Sequence, residues 1–495
     1  LTQADISGSD SSLSHLKAGR SRAAVHGVLW STLNSIAPSA VSAGVFLATS
    51  RVLLPAQFGL VALAVNIATV ASAIVPAGFG DAIVQRTEIE PDHLDAAFWL
   101  CFGVSILMYG ALLLGTPAMA GYFHASELTL LIPILGLRVI FDLLGAVPNA
   151  VLTRTMSFNK FAARTTAASL VAAGVCLLLL LLGFGLWALA ISQLASSVTA
   201  WAASMLSVKW RPRLRFNYGA LRELSQFGFL ASGHRAMLML NADQLIIGSL
   251  LGPAPLGLYG FARRIYQIIS DAMAGPLNAV SYPLLASMQT EQDKLKDAYL
   301  FATLVSSVVA FPVFIGLASI AGDLIPFAFG AHWTEAIPAV QVFCAIGLLS
   351  SIGILQSALI RSQGLAGLWL CYVVLRQAMT TVYVILFYQW GINFLVFAIA
   401  VETYGMAIPA IFIVAHILRI GVWAYLKPFL APAVASLAMF VAVYLIREYM
   451  PATLMPLRLA LCIAGGALVY VMTLLTLARD QIARVAEVLV KRPAR

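Results

Sequence analysis

The sequence predicts an all-α membrane protein of about 14 transmembrane helices, built as two parallel six-helix lobes with two C-terminal helices appended. Three observations predict this. Hydrophobic residues make up 61% of the 495 positions and charged residues only 10%, too little charge to solvate a water-soluble domain of this length. Apolar runs of about twenty residues recur along the whole chain, each long enough to cross roughly 30 Å of hydrocarbon as a helix. They do not alternate with period two, which excludes a closed barrel. Finally, the phrase Leu53-Leu54-Pro55-Ala56-Gln57-Phe58-Gly59-Leu60 returns 198 residues later as Leu251-Gly252-Pro253-Ala254-Pro255-Leu256-Gly257-Leu258. Each copy sits in a tight turn between two long apolar runs, the mark of an internal duplication.

The first lobe takes the runs at 25–48, 60–84, 94–116, 128–152, 161–182 and 185–208. The second takes 223–248, 256–287, 298–321, 335–360, 366–388 and 392–418, and the appended pair is 427–446 and 457–478. Six is even, so the second lobe enters the membrane with the same orientation as the first and the repeats are parallel. The domain plan is a cytoplasmic, Ser- and Asp-rich tail over 1–22, a lobe over 23–208, a basic linker over 209–222, a lobe over 223–420, the appended pair within 421–478, and a tail over 479–495. In that last tail Ile482, Val485, Ala486 and Leu489 form one apolar stripe, which predicts a helix lying on the cytoplasmic surface.

Lysine and arginine set the orientation. With the N-terminus inside, the inner segments collect Arg20, Arg86, Arg154, Lys160 and Arg164, the linker cluster Lys209 to Arg215, Lys294, Arg361 and Arg419. The outer links hold only Arg51, Arg447 and Arg458. This bias predicts both termini on the cytoplasmic side of the membrane. The net charge of +9 is thus a topology signal, and no nucleic-acid module accompanies it.

Several chemistries are missing. The dipeptide Gly-Lys does not occur, so there is no P-loop. The 7 histidines are scattered without metal-ligand spacing, and the 5 cysteines fall inside predicted spans with no CxxC. No cofactor or metal is expected. Outer links carry no paired carboxylates for glycosyl transfer, which argues against an enzyme.

Ionisable groups at membrane depth stand out, since each costs at least about 2.5–3.5 kcal/mol at a helix centre. Arg138 and Asp142 share one face at i, i+4; Arg235 and Asp243 fall in span 7; Arg263, Arg264 and Asp271 fall in span 8; Arg376 and Glu402 fall at matching depth in spans 11 and 12. Two readings stand side by side: internal salt bridges, or a water-filled cavity. In the cavity reading Arg138, Arg235, Arg263, Arg264 and Arg376 hold an anionic substrate by bidentate bonds. Asp142, Asp243, Asp271 and Glu402 then serve ion coupling or pairing. One of Arg263 and Arg264 is expected to meet Asp243. As neighbours about 100° apart, the two arginines are not expected to line one narrow surface. Pro38 and Pro276, in the spans flanking the repeated turn, are candidate hinges. Tyr259, Tyr266, Tyr372, Tyr383 and Tyr404 offer aromatic faces at depth, as packing or for sugars.

The two lobes and appended pair, the turn Leu54 to Leu60, and the glycine-rich stretch Gly78-Phe79-Gly80-Asp81-Ala82-Ile83-Val84-Gln85-Arg86 together resemble the polysaccharide transporter branch of the MATE/oligosaccharide flippase (MOP) superfamily, the Wzx-type flippases. The resemblance spans residues 20–480. It implies the MATE/MOP fold and alternating access. It also implies translocation of an undecaprenyl-diphosphate-linked oligosaccharide repeat unit to the periplasmic leaflet for exopolysaccharide, capsule or O-antigen biosynthesis. Membrane lipids, and a polymerase and chain-length regulator of the same pathway, are the implied partners. A drug/cation antiporter or a lipid II flippase shares the fold and remains an alternative; a membrane glycosyltransferase or polymerase is the more distant one.

Overall fold

The structure, a computed structural model, describes residues 38–74, 78–86, 88–155, 157–215, 217–239, 241–289, 291–451 and 455–477. Among these there are helices and turns and no strand. The first lobe contains α1 (38–52), α2 (Pro55–Ile74), α3 (Phe79–Gln85), α4 (Pro91–Tyr122), α5 (Leu128–Leu144), α6 (Ala146–Arg154), α7 (Phe158–Leu181) and α8 (Leu186–Ser207). The second contains α9 (Tyr218–Met239), α10 (Ala242–Leu251), α11 (Pro253–Ser287), α12 (Gln292–Phe329), α13 (Ile337–Ser362), α14 (Ala366–Phe387) and α15 (Ile392–Leu418), followed by α16 (Val422–Tyr449) and α17 (Met455–Leu477).

Eleven helices among the described residues are long and apolar enough to cross a membrane. The other three of the fourteen expected spans differ for physical reasons. The first begins outside the described residues. The seventh is broken into α9 and α10 at Asn241, whose backbone leaves the helical region (φ −87°, ψ 64°), as suits a short amide that competes for backbone bonds. The eighth, α11, runs 35 residues unbroken and packs against α2 and α13, but Arg263, Arg264 and Asp271 dilute its apolar character. Span 2 likewise divides into α2 and α3, and span 4 into α5 and α6.

The two copies of the repeated turn start their helices in different ways. In the second copy Gly252 adopts φ +88°, a conformation open to glycine, and Pro253 opens α11. In the first copy the Gln57 side chain accepts the Leu54 N–H at 3.1 Å and closes the turn. α2 and α11 then lie against each other at the centre of the molecule, with α5 and α8 beside α2 and α13 beside α11.

The appended pair is held by charge. Asp323 of α12 accepts Arg447 Nε of α16 at 2.9 Å and also pairs with Arg458 of α17. Arg447 donates as well to the Ser319 carbonyl at 2.8 Å. Two of the three arginines that the sequence assigns to outer links, Arg447 and Arg458, are therefore helix-borne and paired with a carboxylate. Arg51 donates to the carbonyls of Phe327 and Ala328, both at 2.6 Å, at the end of α12. The basic linker is also docked: buried Asp95 of α4 accepts Trp210 Nε1 at 3.0 Å and the Arg213 N–H at 3.2 Å.

Candidate functional site

Among the described residues, chambers open inside the helix array, and three bear on the site. The first, about 810 Å³, is walled by α2, α3, α5, α6 and α7 in the half nearest Arg86, Arg154 and Lys160, the basic end. The i, i+4 spacing on α5 lets Arg138 Nε reach Asp142 at 3.0 Å, while its Nη1 donates to Gln193 of α8 at 3.1 Å. Arg164, on the first turns of α7, donates to Asn149 Oδ1 at 2.6 Å and lies 4.4 Å from the Phe161 ring centroid. Asp81 also lines this chamber.

A second chamber, about 500 Å³, lies toward the opposite, turn-bearing end between α1, α2, α7, α8, α10 and α11. Asn66, Gln193, Gln244 and Gln267 line it together with Arg263 and Arg264. The Asn66 amide donates to Gln244 across the lobe boundary at 2.6 Å. Arg263 is committed to packing: it reaches Asp243 at 2.6 Å and Asn241 at 3.0 Å, and the Tyr259 hydroxyl donates to the same Asp243 oxygen at 2.6 Å. Arg264 donates to the Ser42 hydroxyl of α1 and, among the described residues, has no carboxylate at ion-pair distance. Arg138 lines the first chamber and holds Gln193 of the second, so the two adjoin.

The third chamber, about 530 Å³, lies within the second lobe against α16 and is lined by Arg361, Arg376, Gln356, Trp369 and Tyr372. Trp369 and Tyr372 stack at 5.1 Å between ring centroids.

The lobes touch at both ends. At the turn end, a side-chain carbon on Gly59 would stand 1.8 Å from the Pro253 carbonyl oxygen, and one on Gly257 would stand 1.8 Å from that of Pro55. The two repeated phrases therefore lock backbone to backbone, a contact only glycine allows. Beneath it Phe58 meets Trp333 edge-on at 5.7 Å, Trp333 stacks on Phe261 at 4.0 Å, and Phe261 meets Phe46 at 5.3 Å. At the basic end the Gly78 N–H donates to Ser232 Oγ of α9 at 2.9 Å, and a side-chain carbon on Gly228 would stand 2.7 Å from the Phe79 ring. Glu223 there joins Arg86 and His93.

The sequence-chosen residues thus separate. Arg138 and Asp142 line the first chamber, Arg263 and Arg264 the second, Arg376 the third. That Arg263 and Arg264 both line one chamber departs from expectation; of the two, Arg263 is the one in an ion pair, with Asp243. Glu402 is buried and accepts Thr380 at 3.2 Å rather than forming an ion pair with Arg376. Asp271 is exposed and lines none of these three chambers. The side chains of Arg235 and Pro276 lie outside the described residues, and the described part of α1 begins at Pro38, so neither hinge is tested. Sequence reasoning assigned Arg164 to the inner surface and passed over Asn66, Gln193 and Gln244. Their signal was an amide in an otherwise apolar run.

The family model described as "Polysaccharide biosynthesis protein" matches residues 48–338, more than half of the chain. The teichuronic acid biosynthesis protein TuaB of Bacillus subtilis (strain 168) is 25% identical over 418 residues, covering 82% of this chain and 85% of that protein. The lipopolysaccharide biosynthesis protein WzxC of Escherichia coli (strain K12) is 24% identical, covering 66% of this chain and 68% of that one. Among solved structures, the lipid II flippase MurJ in an inward closed conformation superposes with a TM-score of 0.73 at 14% identity, over 93% of this chain and 99% of that one. An inward-facing multidrug resistance MATE family transporter of the MOP superfamily superposes at 0.59 and 17% identity, over 80% and 96%. These likenesses establish a multi-pass membrane protein with the MOP transporter fold.

Proposed function

Because the chain belongs to the polysaccharide biosynthesis protein family, we propose that it is a flippase for an undecaprenyl-diphosphate-linked oligosaccharide, moving it across the bacterial inner membrane. The basic end is cytoplasmic in this reading, by the excess of lysine and arginine there. A polymerase and a chain-length regulator acting on the delivered repeat unit are its expected partners.

The observation that carries the reading is the pair of adjoining chambers beneath a closed turn end. Arg164 sits near the basic face, where the diphosphate of a membrane-anchored cargo arrives, and its planar fork suits phosphate oxygens. The amide-lined chamber lies further in, where the saccharide would project. The isoprenoid tail stays in lipid. Separation of the Gly59–Gly257 seam, with closure at the Gly78–Ser232 contact, would expose the same chambers to the other side. A drug/cation antiporter fits less well, since the second chamber has arginines and no Asp or Glu in its lining.

Two measurements test this. Removing the protein from its host should cause one lipid-linked saccharide to accumulate on the cytoplasmic side. Purified protein in liposomes should move that saccharide lipid between leaflets. Failure of both would overturn the reading.

A further inference from the structure

Residues 208–217 join α8 to α9, and none of them lines the three chambers. Lys209, Arg211, Arg213 and Arg215 recur there at every second position. A simple connector needs no anchoring, yet this strap is held along its length to α4. Trp210 Nε1 and the Arg213 N–H both donate to Asp95, at 3.0 and 3.2 Å. Trp99 Nε1 donates to the Arg213 carbonyl at 2.6 Å, and the Asn217 amide donates to Asp92 at 3.0 Å.

The anchoring uses tryptophans, an amide and backbone, and it leaves cations outside. Lys209, Arg213 and Arg215 are exposed and, among the described residues, form no ion pair. Arg211 differs, because it donates to the carbonyls of Met205 and Val208, both at 2.7 Å, at the C-terminal end of α8. The nearby acids are already engaged: Asp92 and Asp95 hold the strap, and Glu223 joins Arg86 and His93.

Apolar groups decide which anion fits. The Arg215 N–H donates to the Arg213 carbonyl at 2.7 Å, a tight turn with Leu214 at its tip. Leu214 is 89% exposed, and Leu206 in the last turn of the membrane helix α8 is 79% exposed. Tyr218, which opens α9, is 72% exposed. A leucine between two unpaired cations is poorly placed in water. It suits the boundary between phosphate headgroups and acyl chains, where tyrosine and tryptophan also gather.

We propose that this strap is a docking site for acidic phospholipid, with headgroup phosphates on Lys209, Arg213 and Arg215 and Leu214 among the acyl chains. Because the strap joins the two lobes and is fixed to α4 of the first, the bound lipid ties that joint to the leaflet surface. Such a site is independent of the cargo.

The full chain, purified in detergent, is titrated with phosphatidylglycerol and separately with phosphatidylcholine of the same acyl chains, and bound lipid is counted by native mass spectrometry. At low salt the wild type should hold phosphatidylglycerol at least about tenfold more tightly, a preference that shrinks as ionic strength rises. Lys209→Gln/Arg213→Gln/Arg215→Gln should cut that preference at least about fivefold, whereas Arg213→Lys/Arg215→Lys should keep it. An unchanged melting temperature in phosphatidylcholine micelles reports that the triple variant folds. Equal preference in the wild type and the triple variant would place the acidic lipid elsewhere and overturn the proposal. A second measurement keeps every charge. In a cysteine-replaced background, a fluorophore on Leu214→Cys in phosphatidylglycerol liposomes should be quenched by lipid spin-labelled high on its acyl chain and shielded from acrylamide. Full quenching by acrylamide with none from the lipid would turn the strap toward water, where an acidic protein is the fitting partner, and would overturn the proposal too.

Discussion

Gly59 and Gly257 hold equivalent places in the two copies of the repeated phrase, and each faces the carbonyl of the proline that opens the other's helix. A side-chain carbon at either glycine would stand 1.8 Å from that oxygen, well inside van der Waals contact. Duplication has thus produced a joint in which each half closes on the other.

The first prediction follows. Gly59→Ala or Gly257→Ala should keep the turn end from closing and stop polymer export, with protein still present in the membrane. Alanine is the better helix former by roughly 0.5–1 kcal/mol, so helix propensity does not account for a loss. In a cysteine-replaced background, a thiol at Ser42→Cys should react with a membrane-impermeant reagent from the turn side at least about tenfold faster in Gly59→Ala, as expected when a population shifts by more than 1.4 kcal/mol. Normal export by both alanine variants would show that close approach is dispensable.

Charge in the first chamber should separate by role. Arg164→Ala should cause the lipid-linked saccharide to accumulate, and Arg164→Lys should restore transport in part, because an ammonium binds phosphate without the bidentate fork. Asp142→Asn frees Arg138 from its 3.0 Å partner and should weaken release of cargo more than its capture. Single-turnover flipping in liposomes distinguishes the two.

Asp323 and Asp243 should behave as fasteners. Asp323→Ala leaves Arg447 and Arg458 without their carboxylate, and Asp243→Ala does the same to Arg263. Removing one partner of a buried ion pair costs about 3–5 kcal/mol. Both variants should melt at lower temperature in detergent. Arg164→Ala should not, since it leaves no buried carboxylate stranded.

Membrane potential should speed transport of an anionic cargo. An inside-negative potential favours outward movement by about 2.3 kcal/mol per charge per 100 mV. In liposomes, imposing such a potential with a potassium gradient and valinomycin should raise the flipping rate, and reversing it should lower the rate. A rate indifferent to potential but sensitive to pH or sodium would assign the drive to ion coupling instead.

The fold was legible because apolar length is written directly in composition, and because the Pro55 and Pro253 phrases match in sequence. The Arg138–Asp142 and Arg263–Asp243 pairs were legible as well, one from helical spacing and one from adjacency of spans. Asn66, Gln193 and Gln244 were not. A single amide in an apolar run carries no signal until folding brings three helices together. Arg447 and Arg458 misled for the opposite reason: a cation near a helix end looks like an interfacial residue, and only the tertiary placement of Asp323 reveals its partner. Gly78 was part of a recognisable phrase, yet its reason, the approach of Ser232 on α9, depends on a contact 154 residues away.

The aromatic side chains under the glycine joint have a second consequence. Phe58, Phe46, Phe261 and Trp333 pack ring against ring into a plug while the joint is shut. Once it parts, their flat faces line the mouth. Pyranose rings leaving through that mouth would meet surfaces suited to C–H stacking, so a stopper against water turns into a ramp for departing carbohydrate.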